Sequence, residues 1–185
     1  MQQDAPDSPA ATPADLFARL ESLGIATRTL EHPPVFTVEE AKTIRGELPG
    51  GHTKNLFVRN KKGQMWLVSC LEDRAVDLKA LGAALGAGRL SFASADRLAR
   101  HLGVVPGAVT PFAVLNDTEG AVTLALDRRM LDMHTALNVH PLDNTMTTAI
   151  APLDLVTFLE SVDHAPLYLD DAAFGEPGGG EPGGQ

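Results

Sequence analysis

Cysteine is almost missing from this chain. Cys70 stands alone among 185 residues, which excludes an internal disulfide and suits a reducing, cytoplasmic setting. Cys70 ends the apolar run Met65, Trp66, Leu67, Val68, so it reads as a buried structural thiol. No apolar stretch approaches the roughly 18 residues of a membrane span, and no membrane partner is expected. Residues 1–13 are rich in Asp, Ala and Pro and lack the charged-then-apolar order of a signal peptide. Metal-ligand spacings are missing too. There is no C-x-x-C or H-x-x-x-H, and His32, His101, His134 and His164 follow no ligand pattern. Neither metal nor cofactor is expected. The chain also has no P-loop and no G-x-G-x-x-G after a strand, which argues against a regular βαβ nucleotide fold. Ser69 and Ser91 sit in no nucleophile elbow.

Positive charge is scarce, with a formal net charge of −9. Six acids of the terminal regions, Asp4, Asp7, Asp170, Asp171, Glu176 and Glu181, account for much of it. Residues 38–62 run the other way: Lys42, Arg45, Lys54, Arg59, Lys61 and Lys62 face Glu39, Glu40 and Glu47. A patch this modest is most often a solvated face. As a binding surface it suits one end of an RNA rather than a wrapped duplex, and no DNA partner is expected.

What is present reads as one domain over residues 12–165, with a disordered tail at 1–11 and an acidic Gly/Pro-rich tail at 166–185. Thr12 opens a helix, with Pro13 at its first position and Asp15 completing a capping box. Residues 25–31 read as a strand stopped by Pro33 and Pro34. Thr37 to Glu40 form a second capping box, predicting a short helix to about Arg45. Strands at 53–59 and 64–70 flank the turn Asn60, Lys61, Lys62, Gly63, a hairpin signal. Asp77 caps a helix reaching Leu85, a short strand follows at 90–93, and Ser94 caps a helix ending at Gly103. The apolar runs 111–115 and 122–126 predict a second hairpin. Strands are expected at 134–139 and 146–150, and Pro152 opens a final amphipathic helix. The intermixed elements define an α+β fold: a mixed, largely antiparallel, curled sheet with flanking helices.

Three constellations carry candidate chemistry. Lys54 shares a strand face with Leu56 and Val58 by the period of two; an inward lysine at a strand edge marks either a pocket or a frayed end in water. Such a lysine holds a phosphate or a developing oxyanion. Gly107, Ala108, Val109, Thr110 and Pro111 form a kinked loop whose N–H groups can converge on an anion or carbonyl. The Thr110 hydroxyl adds a donor, and a plain turn is the alternative. His140, Pro141, Leu142, Asp143 and Asn144 put an imidazole and an amide one loop apart, suited to orienting a ligand or to plain loop hydrogen bonding.

Gly51, His52, Thr53, Lys54, Asn55, Leu56, Phe57 and the loop at residues 107–111, with the segments at 34–41 and 140–144, resemble the prolyl-tRNA editing superfamily. That superfamily includes YbaK proteins, the insertion domain of bacterial prolyl-tRNA synthetases and free-standing ProX-type proteins. The resemblance spans residues 12–165 and points to the alanine-specific free-standing branch. It implies metal-free deacylation of mischarged tRNA(Pro), most of all Ala-tRNA(Pro), with prolyl-tRNA synthetase as a candidate partner. It implies catalytic roles for Lys54, Gly107 and Thr110, and substrate contacts from Asn55, Ala108, Val109, Pro111, His140 and Asn144. Lys42 and Arg45 would meet the acceptor stem. The alternatives are a Cys- or Ser-tRNA deacylase of the same fold, a non-catalytic tRNA-binding module, and a general small-ester hydrolase. The chemistry is sensible: a prolyl pocket discriminates weakly against a smaller amino acid, by about 1–3 kcal/mol per missing methylene, so a second sieve is needed.

Overall fold

A computed structural model of the chain describes residues 9–34, 43, 46 and 48–175. Thr43 is helical, and the rest of the predicted helix at 37–45, Lys42 and Arg45 included, lies outside the described residues. Among the described residues, eight strands form one sheet: β1 (Thr27–Glu31), β2 (Gly51–Asn60), β3 (Met65–Leu71), β4 (Leu90–Phe92), β5 (Val122–Asp127), β6 (Leu137–Val139), β7 (Met146–Ile150) and β8 (Leu167–Leu169). Their order is β1-β7-β6-β2-β3-β5-β8, with β4 also paired to β2. The helices are α1 (Pro13–Ser22), α2 (Leu78–Ala84), α3 (Ala95–Leu102), α4 (Arg128–Asp132) and α5 (Pro152–Ser161).

Local signals explain much of this. Thr12 and Asp15 form the capping box of α1, with Pro13 at the first position. Asp77 caps α2 and Ser94 caps α3. The turn at 60–63 closes the antiparallel β2–β3 hairpin, its Asn60 Oδ1 accepting from the N–H groups of Lys62 and Gln64.

Three expectations need correction. Pro111–Asn116 is a 3-10 helix, not a strand, because Thr110 caps it and Pro111 sits at its first position. No second hairpin forms; β5 instead lies parallel to β3. Only Leu137–Val139 of the 134–139 run is a strand, and α4 precedes it unforeseen. Residues 166–175 belong to the fold rather than to a solvated tail. β8 adds a parallel strand to β5, Asp170 pairs with Arg128, Asp171 pairs with Arg74 and Arg129, and Phe174 lies 4.2 Å from the Arg74 guanidinium. Four strand pairings are antiparallel and three parallel, so the sheet is mixed.

The sheet separates two cores, and β2 feeds both. Phe57 and its partner Leu67 join Leu16, Leu20, Phe112 and Phe158 in the larger one. Leu56, Val58, Val68 and Cys70 join Leu81 and Leu90 in the smaller one. Removing a fully buried phenylalanine such as Phe57 or Phe158 would cost about 3–5 kcal/mol. Along one edge β2 changes partner, from β6 at Gly51 and His52 to β4 at Val58, Arg59 and Asn60. Lys54 and Asn55 fall between the two pairings.

Candidate functional site

Alternation along β2 sends Lys54 and Asn55 to opposite faces. The Asn55 amide nitrogen donates to the Val109 carbonyl at 2.8 Å, and its oxygen accepts from the Ser69 hydroxyl at 2.6 Å. Asn55 and Ser69 are both buried and directly opposed across the hairpin. The arrangement pins the loop at 107–110 to the sheet through one amide. An unmade bond at such a buried group costs about 1–3 kcal/mol, which makes the anchor firm.

Within the loop, Gly107 adopts a φ of +91°, a conformation that disfavours any residue with a Cβ. The Asn144 amide nitrogen lies 3.8 Å from where such a Cβ would sit, so the loop at 140–144 abuts the loop at 107–110. Ala108 does not offer the open donor expected of it: its N–H goes to the Val105 carbonyl at 3.0 Å. The Thr110 hydroxyl, fully buried, accepts from the Phe112 N–H as the cap of the 3-10 helix. The N–H groups of Val109 and Thr110 meet no acceptor among the described residues. Pro111 is buried at the first helical position and fixes the loop's exit.

His140 completes this side. Its Nδ1 is 3.0 Å from the Met146 carbonyl oxygen, so that nitrogen carries the proton and donates. Burial pushes its pKa down, only partly offset by the Met146 contact, and this favours the neutral ring. Asp143, beside it in sequence, accepts from the Thr145 hydroxyl and N–H, which hold its carboxyl below the ordinary value.

Lys54 occupies the other face. It sits opposite Cys70, and its ammonium donates to the Arg74 carbonyl. The pairing with a core face predicted from sequence is present, but the ammonium and the loop do not share a face of the strand. Asn55, not Lys54, joins β2 to the loop. Arg74 in turn pairs with the buried Asp127 at 3.1 Å and with Asp171 at 2.9 Å, so the carbonyl that receives Lys54 is on a fixed turn. Burial pushes the Cys70 thiol up to about 12, with the nearby Lys54 charge opposing, which leaves no thiolate for nucleophilic work.

Sequence reasoning missed Ser69, the Arg74 carbonyl and Asn138. Asn138 donates its amide to the Leu48 carbonyl and accepts the Thr53 hydroxyl at its own carbonyl, tying the start of β2 to β6. Ser69 was the findable one: a polar residue inside an apolar strand, placed opposite Asn55 by the hairpin register. No group of three or more His, Cys, Asp or Glu able to hold a metal occurs among the described residues.

A sheet strand, an amide-anchored glycine loop and an abutting polar loop thus meet in an α+β domain, with the Val109 and Thr110 N–H groups as candidate donors to a carbonyl or anion. The family model of the aminoacyl-tRNA editing domain matches residues 32–158, and the chain belongs to that family. It is 42% identical over 165 residues to prolyl-tRNA synthetase associated domain-containing protein 1 of Danio rerio, covering 86% of this chain and 90% of the relative. It is 40% identical over 141 residues to the prolyl-tRNA editing protein ProX of Acetoanaerobium sticklandii, covering 76% and 85%. The solved structure of a candidate trans-editing enzyme for prolyl tRNA synthetase shares the fold, with a TM-score of 0.67 at 20% identity over 90% of this chain and 98% of that one.

Proposed function

We propose that this protein hydrolyses the aminoacyl ester of mischarged tRNA(Pro), with Ala-tRNA(Pro) as its preferred substrate, in the cytoplasm and alongside prolyl-tRNA synthetase. The observation that carries the reading is the Asn55 amide bonded to the Val109 carbonyl, which fixes the loop over the sheet. An aminoacyl ester is already activated, so positioning and oxyanion donors suffice. Water adds to the ester carbonyl, the N–H groups of Val109 and Thr110 receive the developing oxyanion, and the acyl–oxygen bond breaks. Alanine leaves as its carboxylate, and the ribose hydroxyl regains its proton. Gly107 lets the loop approach the carbonyl closely. In this reading His140 and Asn144 border the aminoacyl group, admit alanine and exclude the bulkier proline ring.

Lys54 has a different task from the loop. Lysine carries three donors, and one goes to Arg74. The remaining charge anchors the phosphate or ribose of the terminal adenosine, on the far side of the strand from the ester. The test is a deacylation panel of Ala-, Cys-, Ser- and Pro-tRNA(Pro), run with and without chelator. Fastest release from Ala-tRNA(Pro), none from Pro-tRNA(Pro) and no chelator effect are expected. Equal release of cysteine or serine would reassign the substrate, binding without turnover would make the protein a tRNA-binding module, and chelator sensitivity would defeat the metal-free step.

A further inference from the structure

Charge on this protein is strongly segregated. Residues 53–71 and 78–95 hold Lys54, Arg59, Lys61, Lys62, Lys79 and Arg89, six of the fifteen cations, and none of the 24 acids. The fold brings these two segments together at the far end of β2. Arg59 pairs with Ser91 and Asn60 with Leu90 across β2 and β4, and the Asn60 amide donates to the Ala87 carbonyl at 3.2 Å. The hairpin tip carrying Lys61 and Lys62 therefore lies against the loop carrying Arg89. Lys61, Lys62, Lys79 and Arg89 are all exposed, and none of the four pairs with a carboxylate among the described residues.

Between α2 and this loop runs an open groove of about 640 Å³, flanked by Lys79 and Arg89. Gly82, Gly86 and Gly88 leave stretches of its wall without side chains, between Leu78, Ala83 and Leu90. A Cβ at Gly82 would lie 2.1 Å from the Gly88 carbonyl, so glycine is required there for the loop to close on the helix. Four exposed cations with no carboxylate partner among the described residues suit a phosphodiester chain.

Distance supplies the second argument. Seven residues of strand separate Lys54 from Lys61, about 20 Å at the rise of a β-strand. We infer that the hairpin tip and the α2–β4 groove form the docking surface for the phosphate backbone of the tRNA acceptor stem, while the unpaired end reaches the site at Lys54 and Asn55. This rests on the editing function proposed above. The rest of the chain holds nine cations against 24 acids, a net negative charge that disfavours RNA elsewhere and so sets the orientation.

The test measures binding of fluorescent uncharged tRNA(Pro) by anisotropy between about 50 and 200 mM salt, where phosphate contacts dominate affinity. Lys61→Ala/Lys62→Ala/Arg89→Ala is expected to weaken binding at least tenfold at low salt and to flatten the salt slope by about two to three. The control Arg97→Ala/Arg100→Ala, on α3, removes two charges elsewhere and should change little. Hydrolysis of a short alanylated CCA oligonucleotide should be unaffected by the triple substitution. Wild-type affinity and slope in the folded triple variant would overturn the inference, as would an equal loss in the control or a selective loss of binding to prolyl-tRNA synthetase. Failure of the wild type to hydrolyse the alanylated oligonucleotide would instead count against the editing function itself.

Discussion

The two faces of β2 do different work with adjacent residues. On one face Asn55 is buried and bonded at both the nitrogen and the oxygen of its amide, and through it the sheet dictates the position of the loop at 107–110. On the other Lys54 is half-buried, held by a backbone carbonyl and backed by Cys70 and an Arg74–Asp127–Asp171 charge cluster. A neutral amide tolerates burial because both ends can be matched. An ammonium does so only at an edge, where water or a ligand shares it. In the function proposed above, the pair divides rigid placement of the ester from electrostatic capture of the nucleotide.

The division can be broken from either side. The largest effect is expected for Lys54→Ala: loss of alanine release from Ala-tRNA(Pro) by at least about 100-fold, with a melting temperature close to wild type, since misplacement of a bound substrate alone carries such penalties. Unchanged deacylation would remove Lys54 from the mechanism. Gly107→Ala strains the loop at φ +91° by about 1–3 kcal/mol. We expect roughly tenfold slower deacylation with a small drop in thermal stability; wild-type rates would show that loop geometry is not limiting.

The smallest effect concerns pH. Burial depresses His140, so its folded pKa lies below the ordinary value. A depressed histidine weakens the fold only as pH falls, when the unfolded chain takes up the proton first. At pH 7 the ring is neutral, and deacylation should show no His140-dependent inflection from about pH 6.5 upward. Below that, protonation should slow the reaction a few-fold. A rate that rises as pH falls from 6.5 to 5 would mean that the imidazolium is the working form.

Part of this was readable from sequence because its causes are local. Thr12 with Asp15, Asp77 and Ser94 each name a helix start by capping alone. Asn60 and Gly63 name the hairpin, and its register puts Asn55 opposite Ser69. What escaped is non-local. Pairing of β5 with β3 joins strands some 55 residues apart in parallel, and no turn residue announces it. The segment 111–115 is a short apolar run, which periodicity cannot assign to strand or helix; Thr110 and Pro111 decide it. β8 is three residues long and depends on ion pairs between Asp170, Asp171 and arginines about 40 to 100 residues earlier. The site followed the same rule. Lys54 on a core face was legible, but which core holds the loop was not, and that placed the loop with Asn55.

The most direct test is the single-turnover rate of alanine release from Ala-tRNA(Pro) by Asn55→Ala, with folding checked by circular dichroism. If, as proposed, that amide holds the loop at 107–110 over the ester, the rate should fall about 100-fold while tRNA affinity stays near wild type. A folded variant that releases alanine at the wild-type rate would contradict the account.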